Sequence, residues 1–478
     1  MSFDLIIKGG KAVFKNRTGF CDIFVKNGKI TLIKQTAKTM ASARRIIDAR
    51  GLLVLPGIID AHAHFRLRLG AGRYTADDFT TGSAAAACGG VTTFIDYTSQ
   101  APGESPLKGL KDRFKEAAGR TYTDFSFHCI LTPPPVRLRR TGGGVTGWPD
   151  IKRLAKQMAA AMKAGIPTFK MFTAYGARGL MAGDAALFSA LETAGKLGAL
   201  ICVHAENGPI TDLLTSRYAR LKNIKALPLS HPAFTETEAV GRVSALAAAA
   251  CAPVYFVHLS ARGSAAIIKA GRAMGLKVMG ETCPQYLALN DSRFKGKGGH
   301  LYSCCPPLRA RADNEALWRA AAAGELQVIA TDNCTFTRAQ KNSWGGDIQK
   351  LPMGLPGAQT LLAALYTFGV KAGHIKVERL VEMLCENPAR IMGLYPRKGA
   401  IKPGADADFA IIDPKAGHRA DWRAMSHNTD YSPWQGMKLY GFPKYTVLRG
   451  EIIAQNGKLS NPKKFPGKFL RRTKPQII

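Results

Sequence analysis

The hydrophobic and polar positions of this chain follow one pattern at its two ends and another in its middle. Near the N-terminus, short strand-like runs are separated by turn signals such as Gly9-Gly10 and Asn27-Gly28. Similar runs return near the C-terminus. Together they predict strands over residues 3–8, 22–25, 29–33, 45–48, 407–413 and 445–453. We therefore expect the two chain ends to build one β-domain together.

Between these ends, short apolar runs alternate with alanine-rich stretches of helical length. The runs span residues 91–96, 125–130, 168–172, 200–204, 254–258, 277–280 and 328–330, and the stretches include 151–164, 185–197, 236–250 and 264–274. Strand–helix repetition over about 340 residues implies a parallel sheet, most simply a (β/α)8 barrel. We predict an α/β fold with a TIM barrel over residues 56–398. Residues 1–55 and 399–478 would form a small β-sandwich, the latter with a C-terminal tail.

Polar residues recur where the apolar runs end, which is where a barrel of this type has its active site. They are His62 and His64 after the run at 51–55, Lys170 within 168–172, His204, His258, and Asp332 after 328–330. Side chains two apart on a strand share a face, so His62 and His64 can hold one metal ion. Each residue alone fits a packed core or rim position equally well. The six together predict a metal site.

Four histidines, one aspartate and one lysine suggest two metal ions. Burial of Lys170 in an apolar strand would lower its pKa, and the neutral amine can react with carbon dioxide to give a bridging carbamate. Two metals would acidify a shared water, and Asp332 would orient it and carry its proton to a leaving nitrogen. The Tyr175 hydroxyl would donate to the developing oxyanion, although a packed rim aromatic explains Tyr175 as well.

Composition and charge narrow the class of protein. A hydrophobic content of 46% over 478 residues argues against disorder. The N-terminus lacks a signal-peptide layout, and we find no apolar run of about 18 residues, so no membrane association is expected. Ten cysteines without framework spacing predict free thiols in a reducing cytoplasm. The net charge of +33 is spread along the chain without a nucleic-acid-binding motif, so we expect no specific nucleic-acid partner.

The segments around these residues resemble cyclic amidohydrolases of the dihydropyrimidinase/hydantoinase branch nearly end to end. The matching segments are 56–64, 75–79, 169–172, 203–208, 257–260, 280–286, 306–309, 330–332, 386–390 and 402–408. The resemblance implies two Zn²⁺ ions per subunit, bridged by N6-carboxylated Lys170. His62, His64 and Asp332 would hold the first ion, and His204 and His258 the second. It also implies opening of a small cyclic amide or ureide by a homotetramer or dimer.

Departures from the family pattern concern the substrate pocket. Cys305 stands where the family typically has Ser, and Met353 where it typically has Asn. Arg66 resembles the carboxylate-binding arginine of dihydroorotase relatives, with a solvated loop position as its alternative. With Tyr175, these three are the predicted substrate contacts. We predict a hydantoinase or dihydropyrimidinase-like activity. The alternatives are the same chemistry on dihydroorotate, allantoin, a cyclic imide or a lactam, and a non-catalytic dihydropyrimidinase-related scaffold.

Overall fold

The structure, a computed structural model, describes residues 2–35, 42–70, 72–100, 104–132 and 151–478. Eight strands run parallel in one sheet and neighbour one another in chain order. They are Ile58–Ala63, Val91–Tyr97, Asp124–Ile130, Thr168–Phe172, Leu200–His204, Val254–Phe256, Val278–Thr282 and Val328–Ile329. A parallel bridge from Ala63 to Asn333, just past the last strand, brings the sheet back onto its first strand. The predicted (β/α)8 barrel is thereby confirmed.

Helices cover the outside of this barrel. The longer ones are Phe79–Cys88, Pro106–Ala117, Ile151–Lys163, Asp184–Leu197, Gly208–Tyr218, Ala233–Ala249, Arg262–Ala273 and Arg311–Ala323; the shorter ones are Ala226–Ser230, Pro284–Ala288, Arg338–Asn342, Leu361–Leu365, Val377–Val381 and Asn387–Ile391. Local sequence explains their starts and faces. The Asp78 carboxylate accepts from the backbone N–H groups of Thr80 and Thr81 at the first helix start. Helix Ile151–Lys163 buries Leu154, Met158 and Ala161, the spacing of one helical face.

The chain ends form a second sheet of nine strands. They are Phe3–Val13, Thr18–Lys26, Lys29–Gln35, Ala43–Asp48, Leu53–Pro56, Phe409–Ile412, Pro443–Leu448, Glu451–Gln455 and Lys458–Leu459. This confirms a shared β-structure of both ends, whereas the predicted domain boundaries stay predictions. The apolar run at 51–55 contributes Leu53–Pro56 to this end sheet, because that strand pairs with Phe3–Val13 and Phe409–Ile412. The first barrel strand is therefore Ile58–Ala63.

Two small hairpins complete the strands: Arg68–Gly70 with Arg73–Tyr74, and Gly417–Arg419 with Lys438–Tyr440. The barrel interior is a separate apolar cluster of alternating strand residues, which the C-terminal segment closes through buried Leu470. Arg472 follows it and donates to the Ser126 hydroxyl and to the Thr168 hydroxyl in the barrel. The C-terminal segment therefore covers the amino ends of the barrel strands, and a functional site is expected at the carboxyl ends. No helix of the described residues is long and apolar enough to cross a membrane.

Candidate functional site

Strand alternation brings the polar residues of the predicted site into the barrel. Leu200 and Cys202 belong to the apolar interior of the barrel. His204 lies two residues after Cys202 in the same strand, so its side chain points to the same side. Val328 and Ala330 precede Asp332 in the same way. The side chains of Lys170, His204 and Asp332 therefore meet above a packed apolar floor. This arrangement follows from the period of two that the sequence shows.

The first donor group consists of His62, His64 and Asp332. The Nε2 atoms of the two histidines are 3.2 Å apart, and the Asp332 Oδ1 atom lies 3.2 Å from His62 Nε2 and 3.1 Å from His64 Nε2. Ligand atoms of a tetrahedral zinc ion with bonds of about 2.0–2.2 Å are separated by about 3.3–3.6 Å. Three donor atoms that converge at this spacing fit a metal ion.

The second donor group consists of His204 and His258, whose Nδ1 and Nε2 atoms are 2.9 Å apart. It adjoins the first group, because ligand atoms of His62, His258 and Asp332 all lie within 4.8 Å of one another. The ring centroids of His62 and His258 are 5.4 Å apart. The four predicted histidines and Asp332 thus form one continuous cluster.

Lys170 lies in the same interior, with its side chain buried between aromatic rings. Its Nζ atom is 5.3 Å from the ring centroid of Tyr97 and 5.2 Å from that of Phe172. Among the residues that the structure describes, Lys170 forms no ion pair. Burial lowers the pKa of its amine from 10.5 to about 8. An amine in this surrounding has an appreciable neutral fraction near pH 7, which is what carbamate formation requires.

Two buried glutamates hold the histidines in place, and the sequence reasoning did not single them out. Glu281 accepts from His62 Nδ1 at 2.7 Å and from the Tyr255 hydroxyl at 2.8 Å. Glu206 lies 2.9 Å from His204 Nε2. Carboxylates of this kind fix the ring orientation of metal-binding histidines. Both glutamates fall inside family-like segments, 280–286 and 203–208, and that was the signal that could have identified them.

The charges of the cluster are coupled. Burial disfavours the imidazolium of His62, but Glu281 and Asp332 outweigh it and raise the pKa of His62 to about 9. Burial disfavours the Asp332 carboxylate, but His62 and His64 outweigh it and hold the pKa of Asp332 well below its usual range. Asp332 is therefore an anion at neutral pH, as a metal ligand or a proton carrier needs to be.

Backbone strain concentrates at the predicted site. Nine residues other than glycine have a positive φ in the described part of the chain, and four of them are Arg66, Tyr175, His258 and Asp332. Such conformations cost about 1–3 kcal/mol each and are retained where the surrounding structure imposes them. His258 is one of these strained residues. We expected its strand to end at residue 258, but the regular strand ends at Phe256, and the turn that follows directs the His258 imidazole toward His204.

Tyr175 and Cys305 lie together at the rim of the metal cluster. The Tyr175 ring centroid is 4.6 Å from that of His204, and its hydroxyl lies beside the Cys305 thiol. Burial raises the pKa of Tyr175 well above its usual range, so its hydroxyl keeps its proton. A protonated phenol beside the metal cluster has the chemistry of an oxyanion donor.

Met353 and Arg66 lie further from the histidines. Met353 packs half-buried against the main core, and buried Lys341 connects its loop to that of Cys305 by donating to the carbonyls of Pro352 and Ser303, both at 2.8 Å. The Arg66 guanidinium lies 4.6 Å from the ring centroid of Tyr74, and its Nε atom is 3.8 Å from a Glu116 oxygen. Neither of these contacts joins Arg66 to the metal cluster.

Comparison with known proteins agrees with this geometry. A model of the amidohydrolase family matches residues 53–453. The chain belongs to the amidohydrolase family. It is 35% identical over 464 residues to a D-hydantoinase of Streptomyces coelicolor, with 95% of each chain covered. Its fold is similar to a dihydropyrimidinase of Brevibacillus agri, with a TM-score of 0.91, 31% identity, and 98% of this chain and 99% of that chain covered.

The fold is also similar to an L-hydantoinase (dihydropyrimidinase) of Arthrobacter aurescens, with a TM-score of 0.87 and 29% identity. The alignment covers 98% of this chain and 100% of that chain. Amidohydrolases of this family are metal-dependent, and the described residues contain the donor groups that such chemistry requires. The similar proteins thus include both D-hydantoinases and an L-hydantoinase.

Proposed function

We propose that this protein is a binuclear-zinc hydrolase that opens a cyclic amide or ureide ring, with hydantoins and dihydropyrimidines as the first candidate substrates. One observation carries the proposal: four histidines, Asp332 and a buried lysine converge at the carboxyl ends of the barrel strands. Near full-length likeness to D-hydantoinases supports the choice of ring. A pocket that retains this set of donor groups is better explained by catalysis than by a scaffold role.

His62, His64 and Asp332 would hold one zinc ion, His204 and His258 the other, and carboxylated Lys170 would bridge them. The bound pair would polarise the ring carbonyl and lower the pKa of a water molecule. The chain's own contribution is positional. Glu281 and Glu206 keep the imidazoles oriented, and the Tyr175 hydroxyl donates to the oxygen of the carbonyl under attack. Asp332 accepts the proton from water and delivers it to the departing ring nitrogen.

The carboxylation of Lys170 needs only the amine and carbon dioxide. The amine nitrogen forms a bond to the carbon, one proton leaves, and the product is a carbamate anion. The lowered pKa of the Lys170 amine and the position of this amine between Tyr97 and Phe172 favour the neutral amine as the starting species. We also propose that the protein is a homotetramer or dimer located in the cytoplasm. Sedimentation of the purified protein would test the oligomeric state.

The function is tested by metal analysis and a ring-opening assay on one preparation. The panel consists of dihydrouracil, hydantoin, 5-substituted hydantoins, dihydroorotate, allantoin and succinimide. We expect about two zinc ions per chain and turnover of at least one ring. Lys170→Ala should abolish turnover and the carbamate signal in carbon-13 NMR after labelling with bicarbonate. The matched control is Lys269→Ala, since Lys269 is an exposed lysine that pairs with Glu325.

Three results would change the conclusion. Turnover confined to dihydroorotate would favour the acidic-ring alternative and a role for Arg66. If the protein contains zinc but turns over no ring of the panel, the metal site is supported and the substrate is a compound outside the panel. Absence of both zinc and turnover would favour the non-catalytic scaffold.

A further inference from the structure

A second cluster of metal-binding side chains lies beside the proposed zinc pair. It consists of Cys305, His231 and Glu206. The Cys305 Sγ atom is 3.2 Å from Glu206 Oε2 and 3.7 Å from His231 Nδ1, and His231 Nδ1 is 3.0 Å from Glu206 Oε1. These residues come from three different segments of the barrel's upper face. None of them is a ligand of the proposed zinc pair.

The donor set and its spacing fit a divalent cation. A thiolate, an imidazole and a carboxylate are all zinc ligands, with bonds of about 2.3 Å to sulfur and about 2.0–2.2 Å to nitrogen and oxygen. Tetrahedral angles then separate the donor atoms by about 3.3–3.7 Å. The 3.7 Å between Cys305 Sγ and His231 Nδ1 matches this spacing, and Glu206 presents one carboxylate oxygen to each of them, at 3.2 Å from the sulfur and 3.0 Å from the nitrogen. The cluster is therefore compact enough for one ion.

The charges are complementary as well. The Glu206 side chain is fully buried, and only 13% of the His231 side chain is exposed. A divalent cation held by the Cys305 thiolate, the neutral His231 imidazole and the Glu206 carboxylate would have its two positive charges balanced by the two anionic ligands. Protons that the ligands carried would leave to solvent on binding.

We propose that Cys305, His231 and Glu206 form a third metal site, selective for borderline and soft divalent cations such as Zn²⁺ and Cd²⁺. Sulfur ligation gives the site its preference for these ions over Mg²⁺ and Ca²⁺. The site is also inhibitory, a consequence that rests on the proposed function. Its ion takes the Cys305 thiol away from the Tyr175 hydroxyl and occupies space at the substrate rim.

The test uses full-length, zinc-loaded protein titrated with cadmium chloride. We expect one further cation per chain and an ultraviolet thiolate-to-cadmium charge-transfer band. Cys305→Ser should lack the band, while Cys251→Ser, which removes the exposed thiol of the chain, should retain it. His231→Gln should weaken the binding at least about tenfold, because even the loss of an outer-shell partner of a ligand has an effect of that size.

Three outcomes would overturn the proposal: no band in the parent protein, a band that persists in Cys305→Ser, or a band lost in Cys251→Ser. Repeating the titration on Lys170→Ala protein separates this site from the zinc pair. If Lys170→Ala binds little zinc but still shows the band, the third site stands independently of the proposed function. In the active protein, excess Zn²⁺ should inhibit competitively with the ring substrate, and this inhibition should be absent from Cys305→Ser.

Discussion

A buried lysine connects the barrel to the end sheet, and its removal gives the sharpest test of what holds the fold together. The Lys398 Nζ atom lies 2.7 Å from Asp124, 3.1 Å from Asp406 and 2.5 Å from Asp408. Only 1% of the Lys398 side chain is exposed. Asp124 begins a barrel strand, whereas Asp408 precedes an end-sheet strand. One ammonium group therefore neutralises carboxylates from both layers.

Lys398→Met should destabilise the protein by about 3–5 kcal/mol at pH 7, because it leaves the buried Asp408 carboxylate without its counter-charge, whereas Asp124 keeps Arg449 and Asp406 keeps Lys29 and Arg397. The matched control is Lys29→Met. The Lys29 Nζ atom lies 2.5 Å from the same Asp406, but its side chain is 46% exposed. Exposed pairs contribute about 0.2–1 kcal/mol, so the two variants should differ by at least about 2 kcal/mol. Urea-unfolding midpoints and melting temperatures of the three proteins at equal concentration measure this difference.

The pH dependence gives a second readout with a definite sign. In the parent protein burial disfavours charged Asp406, but Lys398, Lys29 and Arg397 outweigh it and lower its pKa to about 2. That stabilisation is present above the unfolded pKa of about 3.9 and is lost as the pH falls toward 2. In Lys398→Met the buried Asp408 carboxylate loses the charge that opposes its burial, so it takes up a proton in the folded state at a higher pH than in the unfolded chain. The difference in the free energy of unfolding between Lys398→Met and the parent protein should therefore decrease as the pH falls from 7 to 5. Equal losses in Lys398→Met and Lys29→Met at pH 7, or a gap that widens on acidification, would refute this reasoning.

Three further substitutions address the site. Glu281→Gln should weaken zinc binding about 10–100-fold, measured by competition with a chelator, because the carboxylate that orients His62 is lost; unchanged affinity would contradict that role. Tyr175→Phe should lower kcat about 100–1000-fold with little change in KM, as expected for a donor that acts in the transition state, and an equal effect on KM would contradict it. Arg66→Ala separates the two ring classes: a loss confined to dihydroorotate indicates a carboxylate contact, and an equal small effect on all rings indicates a structural role beside Glu116.

The barrel and the clustering of the candidate metal-binding side chains were predictable from sequence because both depend on short-range periodicity. Apolar runs of strand length ended at histidine or aspartate, and a period of two placed Lys170 and His204 on the inner face of their strands. The junction between the end sheet and the barrel is hard to locate from the pattern, for a physical reason. An end-sheet strand and a barrel strand follow one another with only Gly57 between them, so a pattern of hydrophobicity shows a single run.

The supporting contacts were beyond the reach of pattern reasoning because they join residues far apart in sequence. Glu281 reaches His62 across 219 positions, and Lys398 reaches Asp124 across 274. Periodicity can show that such a residue is buried, but the identity of its partner depends on the closed barrel. A buried carboxylate in a predicted strand is thus a signal that a cation or a metal-bound imidazole lies opposite.

The positive-φ residues show why the clustering of the candidate metal-binding side chains could be predicted from sequence, whereas the predicted substrate contacts stay predictions. His258 and Asp332 leave regular strand geometry at the turn that aims them inward, and the surrounding donors leave each of them a single useful orientation. Arg66 also has a positive φ, but its side chain is long and partly exposed, and contacts with Tyr74 and Glu116 set its direction. For a short buried ligand, residue type and strand position suffice to predict a role. For a long rim residue, the role depends on neighbours brought by other loops, and the substrate has to be measured.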